Sequence, residues 1–350
     1  MEGTTLPRLL GETSAQLMSS KGNLIGRGAD CKMSNIEKPG VKSICRSKKL
    51  WRQVFASIAV QAVICVIILL AYAAGASAQC LAKRAGIGSN RPVSSTFVRE
   101  WVASIVRIFA FVCVIGRLAK TQQSLGKRAC LSWSHKVEMI ARGIFLVALC
   151  EAAITTLYEH VCSYPESSLT LSWMSIACLP YSYGILVAKS FWMEVVFDFC
   201  HYWVHRACHS HPKLYKLAHK AHHRHHNPSV LCTLQQDIGE TIFANFLPAL
   251  IAYASLHIFF ALSEVGVLSR FEMAYVMAMK IYQEIGGHMG TMTSISSFPI
   301  CMWLPRALGI ELRTSDHDLH HAMLKANYSK RFKLWDLVFG TYKKHPKAQS

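Results

Sequence analysis

Charged residues are scarce in this sequence, and acidic residues are the scarcest of them. Asp, Glu, Lys and Arg make up 17% of the 350 residues, whereas hydrophobic residues make up 52%. This balance excludes an ordinary soluble domain and indicates several membrane segments. The 38 basic residues outnumber the 20 acidic ones, which gives a net charge of +18. Because Lys and Arg cluster at the edges of the apolar segments, we expect contact with anionic lipid headgroups and no nucleic acid partner.

Several common motifs are also missing. The 13 cysteines include no Cys-x-x-Cys pair, and Cys65, Cys113, Cys150 and Cys178 lie inside apolar segments. We therefore predict buried small side chains and not a disulfide framework. No apolar signal-peptide core follows the N-terminus, so no cleavage is predicted. There is neither a His-Pro-Gly-Gly haem-binding element nor a Gly-rich dinucleotide fingerprint. If the chain catalyses a redox reaction, its electrons must come from a partner.

Apolar segments dominate the chain after a polar, basic start, which we interpret as a flexible cytosolic tail at residues 1–50. Ala56–Ala78 has no charged residue over 23 positions, enough to cross about 30 Å of hydrocarbon. Three further predicted spans are Trp101–Leu118, Val137–Tyr158 and Leu171–Phe197. Thr241–Leu262 and Val265–Ile285 are predicted to form a hairpin that dips into or spans the bilayer. The sequence therefore predicts an all-α integral membrane bundle.

The loops between these segments indicate an orientation. The tail and the 119–136 loop are basic, whereas the 161–170 loop has no Lys or Arg. The 79–99 loop, with four basic residues, fits less well. By the positive-inside rule the N-terminus faces the cytosol, and four crossings return the chain there before Asp198. The part of the chain after Asp198 is therefore predicted to form a cytosolic cap.

Histidine is abundant in that cap. Nine of the 17 histidines lie between His201 and His226. A helix places residues four apart on one face, so His205 and His209 present two imidazoles to one point. Two other motifs have helical spacing and consist of His219, His222 and His223, and of His317, His320 and His321. Neutral imidazole is the commonest protein metal ligand, so facing helices of this kind predict a metal site.

A solvated or metal-scavenging histidine tract is the alternative interpretation of such a stretch. The histidines, however, alternate with Trp203, Val204 and Leu214 and lie next to very apolar segments. A polar low-complexity tail has no such neighbours, and the metal site is the preferred interpretation.

The motifs together resemble the fatty acid hydroxylase/sterol desaturase superfamily of membrane oxygenases, over roughly Leu171–Tyr342. The resemblance rests on these elements: Asp198…Tyr202-Trp203-x-His205-Arg206-x-x-His209, His219-Lys220-x-His222-His223…Pro228, Glu284-x-x-x-His288-Met289-Gly290, His317-x-x-His320-His321, Asn327-Tyr328 and Trp335-Asp336-x-x-Phe339-Gly340-Thr341. It implies a division into the tail 1–50, transmembrane helices at 51–170 and a catalytic domain at 171–345. It also implies a location in the endoplasmic reticulum membrane.

The resemblance further implies a non-haem centre of two iron ions held almost wholly by histidine. The implied ligands are His205, His209, His219, His222, His223, His288, His317, His320 and His321. Nine ligands are too many for one ion and suit two ions with open positions for O2. Four acids are candidates for orienting the imidazoles from behind: Asp198, Glu284, Asp316 and Asp318. Asp316 stands where many members have another histidine, and the segment before Glu240 lacks their His-Pro pair.

The second motif has an ambiguous register, because His222, His225 and His226 also form a His-x-x-His-His pattern. We prefer the earlier register since Lys220 and Pro228 then follow the family pattern. The spare histidines, expected to be solvated or to support the ligands, are His201, His211, His225 and His226. No role is assigned to His135, His160, His257 and His345.

The preferred function is hydroxylation or desaturation of a membrane lipid, with electrons from NAD(P)H through a cytochrome b5 and reductase type of donor, as the resemblance implies. A sterol is favoured over a fatty-acyl or sphingolipid substrate because the elements around His288 and His317 are similar to those of sterol hydroxylases and methylsterol oxidases. A multi-pass metal transporter is the remote alternative, and it predicts ionisable residues lining a path through the spans. A non-catalytic family member is a third, against which the complete ligand set argues.

Overall fold

The computed structural model describes residues 39–86, 92–126, 131–161, 179–225, 227–260, 268–292 and 297–346. Residues 1–38 of the predicted tail lie outside these ranges. Leu50–Ser350 form one compact unit, which contains all 17 histidines of the chain. Within the described ranges, extended pairing is limited to the isolated bridges Ser124–Thr291 and Glu311–Phe332. The predicted all-α class is confirmed.

The helices vary greatly in length. In chain order they are α1 Pro39–Arg84, α2 Pro92–Lys120, α3 Trp133–Arg142, α4 Ala148–Val161, α5 Leu179–Ser210, α6 Pro212–Ala218, α7 Leu247–Phe260, α8 Arg270–Gly287, α9 Leu304–Ala307, α10 Thr314–Met323 and α11 Leu334–Val338. π-helical turns at Gly143–Val147 and Glu240–Phe246 lead into α4 and α7. Helix α1 begins at Pro39, inside the stretch predicted as a flexible tail. Proline suits a first helical turn, where its missing N–H has no partner to lose.

Three helical stretches are long and apolar enough to cross a bilayer, namely Ser57–Arg84, Val93–Lys120 and Glu240–Phe259. The first two correspond to the first two predicted spans, and the third corresponds to the first arm of the predicted hairpin. Their outer faces expose large apolar side chains, such as Leu69 (65% exposed) and Phe259 (60% exposed). Such faces suit contact with lipid chains.

The other two predicted spans do not reach this standard in the described residues. Val137–Tyr158 is divided by the π-helical turn after Arg142 and buries Glu151. The part of Leu171–Phe197 from residue 179 onward includes Lys189 and Glu194, both buried. Charges pointing into the protein interior, rather than to lipid, give these helices a mixed composition. The prediction of four crossings before Asp198 is therefore not confirmed.

Helix α8 lies at the centre of the packing. Its residues from Met273 to Gly286 are almost all buried. One face packs with α1 and α2 around Phe111, and the other packs with α5 and α7 around Leu256. The predicted membrane region and the predicted catalytic region consequently share one core. Because α8 ends at His288, this core also holds one of the candidate ligands in place.

Two buried carboxylates fasten the C-terminal segment to the bundle. Asp198 of α5 accepts hydrogen bonds from the backbone N–H groups of Lys330, Arg331 and Phe332 at 2.6, 2.9 and 3.1 Å. Asp336 of α11 accepts those of Tyr328 and Ser329 at 2.8 and 2.9 Å. Buried backbone donors need such acceptors, since an unmade hydrogen bond there is costly. The segment 326–332 is thus fixed from two sides.

Replacing Asp198 by Ala should destabilise the protein strongly. The change leaves three buried N–H groups without acceptors, at a cost of about 3 kcal/mol or more. Thermal unfolding of the detergent-solubilised protein is the measurement, and a clearly lower Tm is expected. The control is Glu138→Ala, because each ion pair of this partly exposed carboxylate contributes at most about 1 kcal/mol. Equal melting temperatures for the two variants would contradict the fastening role of Asp198.

Candidate metal centre

All nine predicted ligands come together, in two groups. One group consists of His205, His209, His219, His223 and His320, and the other of His222, His288, His317 and His321. Within each group, one ring nitrogen from every residue lies within 4.8 Å of the others. Eight of the nine rings are buried, and His209 is partly buried. Residues separated by more than a hundred positions in the sequence therefore share one small space.

Local structure brings the first and third motifs to this space as expected. His205 and His209 lie one turn apart on α5, and His317 and His321 lie one turn apart on α10. His288 follows the last turn of α8 as its C-cap. Helices α5 and α8, which position three of these five histidines, also pack into the core.

The second motif differs from the prediction of a continuous helix. Helix α6 ends at Ala218, and His219 is its C-cap with φ −146° and ψ −13°. The N–H groups of His219 and Lys220 both approach the carbonyl of Tyr215, at 3.1 and 2.7 Å. His222 and His223 follow in a 3-10 turn. This break lets the motif divide, with His219 and His223 in one group and His222 in the other.

Backbone carbonyls fix the direction of three imidazoles. The Nδ1 atoms of His205, His320 and His288 lie 2.7, 2.7 and 2.8 Å from the carbonyl oxygens of Tyr328, Ala326 and Glu284. A carbonyl oxygen only accepts, so Nδ1 carries the proton in each neutral ring. The lone pair is then on Nε2, which faces the shared space. This is the tautomer that binds a metal through Nε2.

The inward-facing nitrogens suit a cation between them. Nε2 of His288 lies 3.0 Å from Nε2 of His317, and Nε2 of His320 lies 3.1 Å from Nε2 of His223. The Nε2 atoms of His205 and His209 are buried without a hydrogen-bond partner among the described residues. Buried polar atoms are normally satisfied. Clustered nitrogen lone pairs without donors therefore fit metal ions, and nitrogen donors suit iron or zinc.

The site holds its imidazoles in the neutral form that binds metals. Burial, in most cases reinforced by neighbouring imidazoles, lowers the pKa of all nine. The pKa of His209 falls to about 3, and those of His288 and His320 fall to about 4. A buried imidazolium would lie against several others, so protonation is disfavoured at neutral pH.

Glu240 joins the two groups, a role the sequence did not suggest. Its Oε1 atom lies 3.4 Å from Nδ1 of His219 and 3.6 Å from Nδ1 of His222, which belong to different groups. Gly239 lets this turn approach α6 closely, because a Cβ there would lie 2.9 Å from the Cβ of Ala218. The signal that could have identified Glu240 is an acid at the start of an otherwise uncharged apolar segment.

The four acids proposed to orient imidazoles behave differently. The carboxylate of Asp198 binds the backbone at 330–332. The carboxylate of Glu284 contacts three cationic side chains, and the backbone carbonyl of Glu284 accepts a hydrogen bond from Nδ1 of His288. Asp316 accepts from the N–H of Arg313 at 3.0 Å, which caps α10. Asp318 is buried. Asp198 and Asp316 thus bind the backbone around the site, whereas Glu284 pairs with cationic side chains beside it.

The spare histidines have varied surroundings. His201 is buried behind His205 with ring centroids 5.1 Å apart, and its Nδ1 donates to the carbonyl of Ala244 at 2.7 Å. His211 is exposed at the N-cap of α6. His225 contacts His135, with 3.1 Å between their Nε2 atoms. His226 lies outside the described residues.

Buried ion pairs lie next to the second group, since they include Glu284, four residues before His288. Arg331 contacts Glu194 at 2.7 Å and Glu284 at 2.9 Å, and Glu284 also contacts Lys280 at 3.2 Å and Lys330 at 3.5 Å. Four of these residues are less than a tenth exposed, with Arg331 at 1% and Glu284 at 4%, and the side chain of Lys330 is 11% exposed. Removing one member would leave an uncompensated buried charge, so these pairs hold α5, α8 and the 330–331 segment together.

Two clefts, lined by different residues, reach the histidine groups. One, of about 30 Å³, reaches the second group and is lined by Gln283, Glu284, Gly287, His288, Ser297, Leu312, Arg313, Thr314, His317 and Lys330. The other, a wider opening of about 410 Å³, reaches His223 of the first group. Each group therefore has its own approach from outside.

Similarity to known proteins agrees with this geometry. Residues 190–341 match the model of the family described as fatty acid hydroxylase. The chain is 34% identical over 151 residues to "Fatty acid hydroxylase vlmA" of Lecanicillium sp, covering 42% of this chain and 40% of that protein. It is 26% identical over 220 residues to "Cholesterol 25-hydroxylase-like protein" of Danio rerio, covering 59% and 80%.

A third relative is "Methylsterol monooxygenase erg25B" of Aspergillus fumigatus, 30% identical over 151 residues that cover 42% of this chain and 45% of that protein. The matched stretch is thus less than half the length of two of these three relatives. No solved structure matches the chain. The stretch that matches the fatty acid hydroxylase family, residues 190–341, contains all nine histidines of the two groups.

Proposed function

We propose that the protein is a membrane-bound non-haem diiron oxygenase that hydroxylates or desaturates a lipid. The observation that supports this most is the convergence of nine buried imidazoles, in groups of five and four, beside helices able to cross a bilayer. Five and four ligands suit two separate ions. Relatives named as fatty acid hydroxylase and methylsterol monooxygenase support the reaction class.

The chain's own residues hold and shield the proposed ions. His205, His288 and His320 would bind through Nε2, since their Nδ1 protons are used by backbone carbonyls. When bound, iron would supply the redox chemistry by which O2 oxidises an unreactive C–H bond. Hydroxylation takes up two electrons and two protons and gives the hydroxylated lipid and one water. Because the rings are buried, water is largely excluded from the space in which this chemistry would occur.

A sterol remains the favoured substrate, with a fatty-acyl or sphingolipid chain as the runner-up. Support comes from the relatives named for cholesterol and methylsterol, whereas the relative named for fatty acids supports the alternative. Both kinds of substrate dissolve in a bilayer, in keeping with the exposed apolar faces of α1 and α7. The proposed location is the endoplasmic reticulum membrane, with the histidines on the cytosolic side and electrons arriving from an external carrier.

The transporter alternative gains no support from the buried charges. Arg107 lies 3.8 Å from Glu151, and Lys189 lies 3.9 Å from Glu272. Arg142 contacts Glu138 at 3.2 Å. These are the ionisable residues that a path through the predicted spans would have used, and each is engaged by a carboxylate within the protein.

Substituting a ligand should separate it sharply from a spare histidine. His222→Ala or His320→Ala should remove activity and lower metal content, because each deletes one buried nitrogen donor. His345→Ala should keep both, as this residue lies outside the two groups. The measurements are iron per chain by elemental analysis and turnover of the reconstituted protein. An active His219→Ala together with an inactive His226→Ala would show that the second motif has the other register.

Glu240→Ala should weaken metal binding in both groups, because one carboxylate contacts a histidine of each. Loss of such a supporting contact typically costs about 10- to 100-fold in metal affinity or activity. Glu240→Gln should retain more metal than Glu240→Ala, since an amide oxygen can still accept from one Nδ1–H. Metal per chain during titration with a chelator is the measurement, and Glu138→Ala is the control. Unchanged chelator resistance in Glu240→Ala would exclude the bridging role.

The reaction itself is tested by growing cells with and without the protein under oxygen-18 and surveying all lipids by mass spectrometry. Labelled oxygen in a sterol is expected, and cells expressing His320→Ala serve as the control. Label in an acyl chain would favour the runner-up, whereas loss of two hydrogens without label would indicate desaturation. No lipid difference from the control would count against an enzyme. In vitro, full activity of a zinc-loaded protein would refute the redox role.

A further inference from the structure

The wide cleft at the first histidine group has a strongly basic border. It is lined by Tyr215, Lys216, Lys220, Ala221, His223, Arg224 and Asp237. Lys213 and Lys216 of the short helix α6 are exposed, as are Lys220 and Arg224, which follow that helix. Leu217, which is 73% exposed, and Leu214, which is 41% exposed, lie between these lysines. We refer to residues 213–224 around this cleft as the basic face.

The positive charge of the basic face is little compensated. Among the described residues, no carboxylate pairs with Lys213, Lys216 or Lys220. Asp237, the acid that lines the cleft, is engaged by Arg142 at 3.4 Å. Arg224 lies 3.8 Å from the partly exposed Glu138, which Arg142 also contacts. The lysines thus create a local positive potential, which attracts an acidic partner and speeds its association.

The cleft also leads directly to the first histidine group. His223, a member of that group, is part of the cleft lining. Tyr215 lines the cleft too, and its ring centroid lies 5.6 Å from that of His209 and 6.2 Å from that of His223. A redox group seated in the cleft would be separated from the proposed ions by a single side chain. The other cleft, which is much smaller, opens to the second group.

We propose that the basic face is the docking surface for an acidic, one-electron carrier protein. This rests on the proposed oxygenase function and adds the place where its electrons enter. The exposed leucines within a basic border have the composition of an interface, with an apolar centre and a polar rim. Each docking event oxidises the carrier by one electron. Two such events, with two protons, reduce one atom of O2 to water while the other atom enters the lipid.

The test compares the full-length, iron-loaded protein with its Lys216→Glu/Lys220→Glu variant. The probe is the soluble haem domain of cytochrome b5, an acidic one-electron carrier. Its affinity is measured by biolayer interferometry at low and high salt, and its KM and kcat are measured in turnover. The variant should bind the probe on the order of tenfold or more weakly at low salt, with a smaller salt dependence. Its KM for the probe should rise while kcat at saturating probe is retained.

The matched control is Lys83→Glu/Lys344→Glu, which makes the same change of charge at exposed lysines elsewhere. It should bind the probe as the unaltered protein does. Iron content and Tm are measured for both variants, and both should be unchanged. The proposal would be overturned if both variants bound the probe with equal affinity, whether that affinity is unchanged or reduced.

Two further outcomes identify other ligands for the basic face. Loss of binding to vesicles containing phosphatidylserine, with probe affinity unchanged, would assign it to a membrane surface and overturn the proposal. A raised KM for the lipid alone would assign it to an anionic substrate and overturn it likewise. Because probe binding needs no turnover, absence of lipid oxidation in the unaltered protein would refute the proposed function without deciding the docking surface.

Discussion

The hydrogen bonds from three Nδ1 atoms to backbone carbonyls are the constraint on which the centre depends. They keep the proton of His205, His288 and His320 on Nδ1, so that the Nε2 lone pairs point inward. An imidazole free to rotate or to change tautomer would be a weaker ligand, because part of its binding energy would be lost in ordering it. The carbonyls that accept these bonds lie at 284, 326 and 328, so the backbone geometry there sets the geometry of the site.

The rest of the structure keeps those carbonyls in place. Asp198 and Asp336 bind the N–H groups of residues 328–332, and Arg331 joins that segment to Glu194 and Glu284. An ion pair this deeply buried contributes less to net stability than to a unique arrangement, because desolvation offsets much of the attraction. Here that arrangement sets the register between α5, α8 and the C-terminal segment.

Much of the fold and the site follows from the sequence, for physical reasons that also explain the exceptions. Helical spacing placed His205 with His209 and His317 with His321, because four residues make about one turn. Helical spacing gave the wrong local structure at His219, since no local pattern reveals that α6 ends at Ala218. The spans at Val137 and Leu171 are not confirmed within the described residues, because apolar composition does not distinguish lipid contact from burial. Glu240 was missed because its partners lie about 20 residues away, across a turn that only the folded chain brings close.

The division of the histidines into two groups makes the centre asymmetric. The first group lies beside the basic face, and the second lies above the buried ion pairs and beside the polar cleft. His219 and His222, three residues apart, belong to different groups because the chain leaves helical geometry between them. A continuous helix would have directed both rings to one side. The break after α6, with Glu240 behind it, is therefore what allows one short motif to serve two sites.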